Sequence, residues 1–380
     1  MNIVLVTTSF PTRLAGSEAA GSFVSDFALE LASSCEVAVV APGSSEEIQQ
    51  EHEGMRIFRY RAPRQPLSTL RLSNPLHWRA IATTLWSGKR TTLHAAKEID
   101  ADCILALWAL PSGYWARNAA SRLNIPYATW ALGSDIWSLG RLPVVRTLLA
   151  NVMAQAALRF ADGYGLSDEV EKICGQSCKF LPSARQLPAC GLPLTHKPPY
   201  RLAFLGRWHP NKGIDLLLDA LAQLPDEDWS RIDMVRIAGG GPLEPLVKKK
   251  VGIIKRRGHP ILLEGYKDTL EATELLLWSD LVMIPSRIES IPVIFSDALQ
   301  ARRRTMATPV GDFPRLATEP GIGNLLTLTK AASAASIART LRALLHEQDW
   351  PAPGGRYGNP VSRATQELVT AFSSVVHGSR

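Results

Sequence analysis

The stretch RLAFLGRWHPNKGID, residues 201–215, has the pattern of a strand, a turn and the start of a helix. Residues 201–206 are an apolar run that predicts a buried strand, and residues 213–224 have a helical period. The turn between them carries two cations, Arg207 and Lys212. Because Arg can fork onto phosphate oxygens and a helix N-terminus favours anions, this turn is a candidate diphosphate site. The alternative is a solvated basic turn.

A second stretch, PSRIESIPVIFSD at residues 285–297, follows another apolar strand, Leu281–Ile284. Glu289 falls in the loop after this strand, and Asp297 falls about two turns later on the predicted helix 291–301. The loop offers one carboxylate to sugar hydroxyls, backbone amides to phosphates and a second carboxylate to a ribose diol. Without the first motif, residues 285–297 would also fit an ordinary strand, loop and helix with no ligand.

Strands and helices alternate on both sides of a proline-rich break, LPSARQLPACGLPLTHKPP, at residues 181–199. The elements predicted before the break are strands at 2–7, 36–41, 56–60, 102–108 and 127–130 and helices at 23–33, 76–99, 112–123 and 144–160. This alternation predicts two α/β units with parallel sheets. Ligands of such folds bind at the carboxyl ends of strands, so we expect the site in the cleft between the units.

Composition fits a globular protein, with 46% hydrophobic and 20% charged residues among 380. No apolar run reaches the ~18 residues of a membrane span, and the longest candidate, residues 144–161, contains Arg146 and Arg159. The first residues, MNIVLVTTSF, lack the charged start of a signal peptide and predict a strand. The five cysteines have no zinc spacing. We therefore expect a cytoplasmic protein.

The formal net charge is +7, and no acidic residue occurs between Glu53 and Glu98. If residues 76–99 are helical, one face is basic and carries a tryptophan: Arg79, Trp86, Arg90 and Lys97. Another face is apolar and is expected to pack on its domain: Trp78, Ile81, Leu85 and Ala96. The basic face suits anionic lipid head groups on the inner side of a membrane, an acidic oligosaccharide or a diphosphate-linked lipid. A solvated face is the alternative, and a nucleic-acid-binding motif is absent.

The two motifs together resemble those of the retaining glycosyltransferases of family 4, which have the GT-B fold. The matching residues are Gly206-Arg207, Lys212-Gly213, Pro285-Ser286, Glu289-Ser290-Ile291-Pro292 and Asp297-Ala298. The likeness continues in residues 238–243, in Glu264-Gly265-Tyr266, in the glycine-containing loop with Gly16 and Gly21, and in Leu132-Gly-Ser-Asp-Ile136.

The resemblance implies two Rossmann-like domains facing across a cleft. We expect an acceptor-binding domain at residues 1–190, a nucleotide-sugar-binding domain at 198–358 and a terminal helix at 359–380 that packs back on the first domain. The implied activity is retaining transfer of a sugar from a nucleotide-diphosphate sugar to a glycan or lipid-linked acceptor, in the biosynthesis of a polysaccharide or glycoconjugate.

The resemblance also assigns roles to residues. It implies catalytic functions for Glu289, Arg207 and Lys212. It implies donor or nucleotide binding by Asp297, Gly265, Tyr266, Ser290, Ile291, Val293, Ile294, Gly16 and Gly21. It places Ser134 and Asp135 on the acceptor side.

Two departures favour an alternative, a catalytically degenerate scaffold that binds glycan, lipid or a partner transferase. Asp297 stands where the family has Glu, and Arg303 where it has glycine. A nucleotide-sugar epimerase is a third possibility. We expect no metal or other cofactor, because two cations and a helix terminus face the diphosphate. The residues Asp226-Glu-Asp228 match a metal-binding Asp-x-Asp, but they fall between a helix and a strand.

Overall fold

The structure is a computed structural model that describes residues 1–11, 21–51, 55–63, 74–137, 140, 142–187, 197–347, 350 and 359–378. The chain divides into two compact units. The first contains Met1–Ser183 with Val361–Arg380, and the second contains Ala184–Pro360.

The first unit is an α/β unit whose elements alternate along the chain. Its elements are β1 (Asn2–Val6), α1 (Ser22–Ala32), β2 (Glu36–Gly43), β3 (Glu47–Glu51), β4 (Met55–Arg61), α2 (Pro75–Glu98), β5 (Cys103–Leu107), α3 (Ser112–Leu123), β6 (Tyr127–Ala131), α4 (Ser134–Trp137), α5 (Pro143–Ala154), β7 (Leu158–Ala161), α6 (Tyr164–Cys174) and β8 (Lys179–Phe180). Its described strands form one sheet in the order β3-β4-β2-β1-β5-β6-β7-β8. All neighbours are parallel except β3 and β4.

The central strand β1 explains why this sheet has a core on each face. Side chains of a strand alternate between faces, and both faces of β1 are buried. Val4 and Val6 belong to the apolar cluster that also contains Trp115 of α3. Ile3 and Leu5 belong to the cluster on the other side, which also contains side chains of α1.

The second unit repeats this design with a parallel sheet. Its elements are β9 (Tyr200–Leu205), α7 (Ile214–Ala222), α8 (Asp226–Trp229), β10 (Ile232–Ala238), α9 (Glu244–Arg256), β11 (Ile261–Leu263), α10 (Thr269–Trp278), β12 (Leu281–Ile284), α11 (Val293–Gln300), β13 (Arg304–Ala307), α12 (Phe313–Leu316), β14 (Leu326–Leu328) and α13 (Ala334–Leu345). The strand order is β11-β10-β9-β12-β13-β14. Strands β9 and β12 are therefore neighbours, and the turns that follow them share one edge of the sheet.

The last helix, α14 (Pro360–Gly378), belongs to the first unit almost entirely. Ala364, Leu368 and Phe372 are buried in the same cluster as Ile3 and Leu5 of β1. The chain thus returns to complete the core of the unit in which it began.

One predicted element is wrong. The helix predicted for residues 144–160 ends at Ala154, and residues 158–161 form β7, which pairs with β6 and β8. The apolar run hid this change, because a short buried strand and a buried helix segment have the same composition. No described helix is both long enough and apolar enough to span a membrane.

Candidate functional site

The turn after β9 is shaped by backbone and ring hydrogen bonds. His209 Nδ1 accepts from the Asn211 N–H at 3.2 Å and caps a short 3₁₀ helix, Pro210–Lys212, that leads into α7. The Arg207 side chain is exposed. Within the described part of the chain, its guanidinium has no hydrogen-bond or ion-pair partner. An exposed cation, without a partner among the described residues, thus follows the strand end.

Arg287, in the turn after β12, ties the two turns together. Its guanidinium donates two parallel hydrogen bonds to the Asp215 carboxylate, at 2.8 and 2.7 Å. It also donates to the Pro210 carbonyl at 2.7 Å, and its backbone N–H donates to the Asn211 carbonyl at 2.7 Å. The hydrogen bonds from Arg287 lower the pKa of Asp215. A forked pair of this kind fixes orientation as well as distance.

Two glycines let the backbones of this region approach each other. Gly213 has φ +66°, and a Cβ there would lie 1.8 Å from the Pro285 carbonyl oxygen. Gly311 has φ +58°, and a Cβ there would lie 2.2 Å from the Glu289 carbonyl oxygen. Only glycine combines this conformation with this lack of space.

These contacts bring together Lys212 and Glu289, which the resemblance assigns to the same site. Lys212 Nζ lies 2.5 Å from Glu289 Oε2, which also accepts from Ser286 Oγ at 3.2 Å. The Lys212 side chain is 35% exposed and the Glu289 side chain is 13% exposed. Both groups are therefore fixed at a partly open edge, where a ligand can reach them.

Helix α11 begins four residues after Glu289. Pro292 is its N-cap residue, and no side chain caps it, so its first N–H groups are those that a helix leaves without intrahelical partners. Val293 and Ile294 lie in this first turn and are half-buried, and Ile291 is buried just before it. Ser290 is buried, and its Oγ has no hydrogen-bond partner among the described residues. These polar groups lie at a helix end that favours an anion.

The predicted base-side residues belong to the same edge. The Gly265 carbonyl accepts from the Gly239 N–H at 3.0 Å, and the Trp208 N–H donates to the Gly240 carbonyl at 2.8 Å. The Tyr266 ring lies beside Gly240 and is 58% exposed. The structure thus brings the turn after β9 together with the turns after β10 and β11.

Asp297 lies on α11, where the spacing predicts it. It is fully buried on α11 and is paired with Arg185 from the start of the second unit. Arg303 is also buried, and its Nη2 donates to the Leu277 carbonyl at 2.7 Å. Burial lowers the pKa of Arg303. The arginine that stands in place of the family's glycine is therefore an internal residue of the second unit.

The predicted acceptor-side residues belong to the first unit. Ser134 is exposed at the start of α4, whereas Asp135 is buried. Asp135 accepts hydrogen bonds from the Ala109 N–H at 2.7 Å and the Leu132 N–H at 3.3 Å. Burial raises the pKa of Asp135 to about 6, although the backbone hydrogen bonds oppose this rise. Its contacts join the loops after β5 and β6.

Of the predicted glycines, Gly21 caps α1 and lies against the backbone of Ser9. Gly16 lies outside the described residues.

The sequence Asp226-Glu-Asp228, which matches a metal-binding Asp-x-Asp, falls on α8. Helix α8 precedes β10 and so lies at the amino end of that strand. There Asp228 is buried and binds Arg342 at 2.7 Å and His346 at 2.8 Å.

The basic face of α2 is exposed at all four predicted positions: Arg79, Trp86, Arg90 and Lys97. The Arg90 guanidinium lies 5.4 Å from the centre of the Trp86 ring.

The predicted apolar face of α2 is wrong in part, since Trp78 is 58% and Leu85 is 40% exposed. Small residues face the core instead: Thr84, Ser87, Gly88, Thr91, Thr92, Ala95 and Ala96. They do so because α2 packs closely on Trp115, which leaves no room for a Cβ at Gly88.

Sequence reasoning missed three contributors to this site: Arg287, Gly311 and Arg185. Arg287 falls within the second motif, but nothing in the sequence pairs it with Asp215, which is 72 positions away. The positive φ of Gly311 is visible only in three dimensions. Arg185 lies in the proline-rich break, where periodicity gives no signal.

Residues 199–347 match the protein family described as "Glycosyl transferases group 1". This range contains both turns, α11 and the whole sheet of the second unit.

Two curated relatives align with parts of the chain. The chain is 26% identical over 279 residues to TuaC of Bacillus subtilis (strain 168), named as a teichuronic acid biosynthesis glycosyltransferase, covering 67% of the chain and 64% of the relative. It is 22% identical over 178 residues to the alpha-D-kanosaminyltransferase of Streptomyces kanamyceticus, covering 45% of each. The chain therefore spans less than two thirds of the length of these curated relatives.

Solved structures match the chain over its full length. Sucrose-phosphate synthase from Thermosynechococcus elongatus has a TM-score of 0.70 at 14% identity, covering 100% of this chain and 98% of that one. HepE of Anabaena, in complex with UDP and glucose, has a TM-score of 0.67 at 15% identity, covering 99% and 98%. At these identities the likeness establishes the fold.

Proposed function

We propose that the protein transfers a sugar from a nucleotide-diphosphate sugar, because residues 199–347 match the group 1 glycosyltransferases and the chain has the GT-B fold. The observation that carries this proposal is the edge of the second sheet where Lys212 pairs with Glu289 just before α11, while Arg207 follows the neighbouring strand β9. Two cations and helix N–H groups are the donors that a diphosphate requires. The buried, unpartnered hydroxyl of Ser290, within the described residues, adds a further donor there.

In the proposed reaction, the bond between the anomeric carbon and the diphosphate oxygen breaks, and the nucleoside diphosphate leaves with the electron pair. An acceptor hydroxyl attacks the anomeric carbon on the same face, so the configuration is retained, and its proton passes to the departing phosphate oxygen. Arg207, Lys212 and the first amides of α11 stabilise the charge that develops on that oxygen.

Glu289 has a separate role in the proposal. Its Oε2 accepts from Lys212 and Ser286, so the carboxylate orientation is fixed before a donor binds. The carboxylate then holds hydroxyls of the donor sugar and aligns the anomeric carbon with the acceptor. Glu289 is not assigned as a nucleophile.

The acceptor is proposed to be a glycan or a lipid-linked glycan, with the product entering a polysaccharide or glycoconjugate. The name of the relative TuaC, which refers to teichuronic acid biosynthesis, supports a glycan. The exposed face of α2, which carries Arg79, Trp86 and Arg90, supports peripheral contact with an anionic membrane. Ser134 and Asp135 remain the proposed acceptor-side residues.

The test is turnover of a panel of nucleotide sugars in the presence of glycan and lipid-linked acceptors, with the anomeric configuration of the product read by NMR. Transfer with retention is expected, and consumption of an acceptor separates transfer from epimerisation. Equal activity of wild type and Glu289→Ala would contradict the site assignment. Binding of nucleotide sugars without turnover would instead favour the degenerate scaffold.

A further inference from the structure

Exposed large apolar side chains are concentrated on two helices of the first unit. Twelve such side chains occur among the described residues, and seven of them lie on α2 or at the start of α5. At the helix starts they are Leu76 and Trp78 on α2, and Leu142, Val144 and Leu148 at α5. Leu76 is 86% and Val144 is 85% exposed. Single exposed apolar residues are ordinary, whereas a concentration of this kind marks an interaction surface.

Both helix starts lie outside the core of the unit. The first buried residue of α2 is Thr84, and that of α5 is Leu149. Residues 75–83 and 143–148 therefore form helical lengths of about 13 and 9 Å that bury no side chain fully. Helix α3, which contacts both helices, is buried from its first residue, Ser112. The start of α3 is thus covered, while the starts of α2 and α5 are open.

The two open helix starts lie at one edge of the first sheet. A helix that connects parallel strands begins at the carboxyl ends of those strands, and α2 follows β4 while α5 follows β6 and α4. Both helices also pack on the same face of the sheet, because Ala95 of α2 and Leu149 of α5 belong to one apolar cluster with Trp115 of α3. The exposed apolar side chains therefore rim the same end of the unit.

Basic residues alternate with these apolar ones. Arg79 follows directly on Trp78, and Arg146 lies two positions after Val144; both arginines are exposed. No acidic residue occurs in α2 before Glu98, and none occurs in α5. The helix starts thus offer apolar side chains to acyl chains and cations to anionic head groups.

The N-cap of α5 differs from what water favours. The N-cap position of a helix usually holds Ser, Thr, Asp or Asn, whose side chain accepts from the first N–H groups. In α5 this position is Leu142, which makes no side-chain cap and is followed by Pro143. An exposed apolar cap suits an environment that supplies both apolar contact and phosphate acceptors.

We propose that these helix starts insert together into an anionic bilayer. We call the surface the apolar tip; its residues are Leu76, Trp78, Arg79, Leu142, Val144, Arg146 and Leu148. The proposed function uses only basic side chains and one tryptophan of α2 for membrane contact, and insertion adds a hydrophobic contribution and a second helix. Interfacial helices bury their apolar face about 5–10 Å deep, a depth within the lengths that α2 and α5 present.

The charges of the apolar tip favour a bilayer over a protein partner. In a protein interface, Arg79 and Arg146 would be buried among aliphatic side chains, and each would need a counterion there. At a bilayer, the guanidinium groups stay at the level of the phosphates while the neighbouring apolar side chains enter the acyl region. One occupant therefore satisfies both kinds of residue.

Insertion has a consequence for the acceptor. The loop after β6 leads through Ser134 and Asp135 into α5, so it lies at the edge that docks. An acceptor anchored in the membrane would reach this loop from the bilayer, which favours a lipid-linked acceptor over a free glycan. This consequence rests on the proposed function, whereas insertion itself does not.

Vesicle flotation of the chain, without donor or acceptor, tests insertion. The vesicles contain phosphatidylglycerol and phosphatidylcholine in equal parts. Salt of roughly 1 M screens the arginines but not the hydrophobic contribution, so the wild type is expected to stay bound. Leu76→Ser with Val144→Ser should weaken binding at that salt at least about tenfold. Loss of all wild-type binding at high salt would overturn the inference.

The matched control carries two serine substitutions in the second unit, Leu262→Ser with Leu270→Ser. Both leucines are exposed, so this variant removes apolar surface elsewhere and should bind vesicles like the wild type. Similar denaturation midpoints are expected for both double variants, because the substituted side chains lie at the surface. Equal losses of vesicle binding in the two variants would contradict a specific role of the apolar tip.

Fluorescence quenching by lipids brominated in the acyl chain measures depth. Trp78→Phe keeps an apolar ring, so the variant should bind vesicles as before but show less quenching than the wild type. Unchanged quenching would contradict insertion at Trp78.

Sedimentation identifies the competing occupant, a second copy of the chain. A wild-type dimer that Leu76→Ser with Val144→Ser converts to a monomer, without any vesicle binding, would overturn the inference. Sugar transfer without vesicle binding would also contradict insertion alone. Vesicle binding without any transfer would leave insertion standing and contradict the proposed function.

Discussion

Lys212 and Glu289 form an ion pair of 2.5 Å although they lie 77 positions apart, at the ends of two neighbouring strands. We expect Lys212→Ala to lower the rate of sugar transfer about a hundredfold, the effect of removing one donor to a developing oxyanion, about 3 kcal/mol. Initial rates at saturating donor measure the change. The matched control is Lys248→Ala on α9, which removes an exposed lysine whose ion pair is with Glu244 on its own helix. Equal losses in the two variants would exclude a specific role for Lys212.

Gly213 should not tolerate a side chain. At φ +66° an L-residue is strained by roughly 1–2 kcal/mol. In addition, its Cβ would overlap the Pro285 carbonyl, so the turns after β9 and β12 must separate. We expect Gly213→Ala to lose donor binding in calorimetry and to lower the free energy of unfolding.

The control for that variant is Gly252→Ala in α9. The nearest atom to a Cβ at Gly252 is the flexible Arg256 Nη1, at 3.7 Å, and Gly252 lies inside a helix. This substitution is expected to stabilise the protein by ~0.5–1 kcal/mol through helix propensity. Comparable denaturation midpoints for the two alanine variants would contradict the account of Gly213.

Asp135 should make stability depend on pH. Its pKa is raised by burial from 3.8 to about 6, so between these values the folded state binds more protons than the unfolded state. The free energy of unfolding that Asp135 contributes is therefore present at low pH and is lost as pH rises through about 6. Two pKa units correspond to ~3 kcal/mol.

Asp135→Asn removes this titration. We expect the stability of the variant relative to wild type to improve by ~2–3 kcal/mol between pH 4 and pH 7.5, measured by chemical denaturation at both values. Any constant cost of replacing an acceptor oxygen by an amide cancels in this comparison. A relative stability that stays flat with pH would show that Asp135 titrates normally.

The basic face of α2 should contribute to membrane affinity. Each exposed basic residue near an anionic surface is worth ~1 kcal/mol, so Arg79→Gln with Arg90→Gln should weaken binding to phosphatidylglycerol vesicles about thirtyfold. Vesicle co-sedimentation at low and high salt measures the effect. The charge-matched control, Lys248→Gln with Lys249→Gln on α9, should bind like wild type. Equal binding of the first double variant and wild type would contradict the proposed contact.

The sequence predicted the helices and strands in which the apolar residues follow one regular spacing. The helix 112–123 was predicted with the bounds that it has, and the strands before Arg207 and Glu289 lie where the apolar runs indicated. Strand β7 was missed because a short buried strand after an apolar helix leaves no break in hydropathy. The core face of α2 was misassigned because hydropathy cannot recognise small residues that pack against Trp115.

The residues of the candidate site also differ in whether the sequence could predict them. The positions of Arg207, Lys212 and Glu289 in the turns after β9 and β12 could be predicted, because each turn follows an apolar strand. The pairs Arg287–Asp215 and Arg185–Asp297 could not, because a charge in a sequence does not indicate which distant charge it will meet. Burial decided the second pair, and burial is a property of the packed structure.

The contact between Gly311 and the Glu289 carbonyl has a consequence for protein engineering. Consider a chimera that takes the loop around Glu289 from a relative but keeps its own chain after β13. Glu289 and Gly311, which are 22 positions apart in the sequence and in close contact, would then come from two different proteins. Such a chimera would misplace the carboxylate even if every motif letter were preserved. Residues 285–311 therefore have to be exchanged together, and the turn after β9, which contacts Pro285 through Gly213 and Arg287 through Asp215, has to match them.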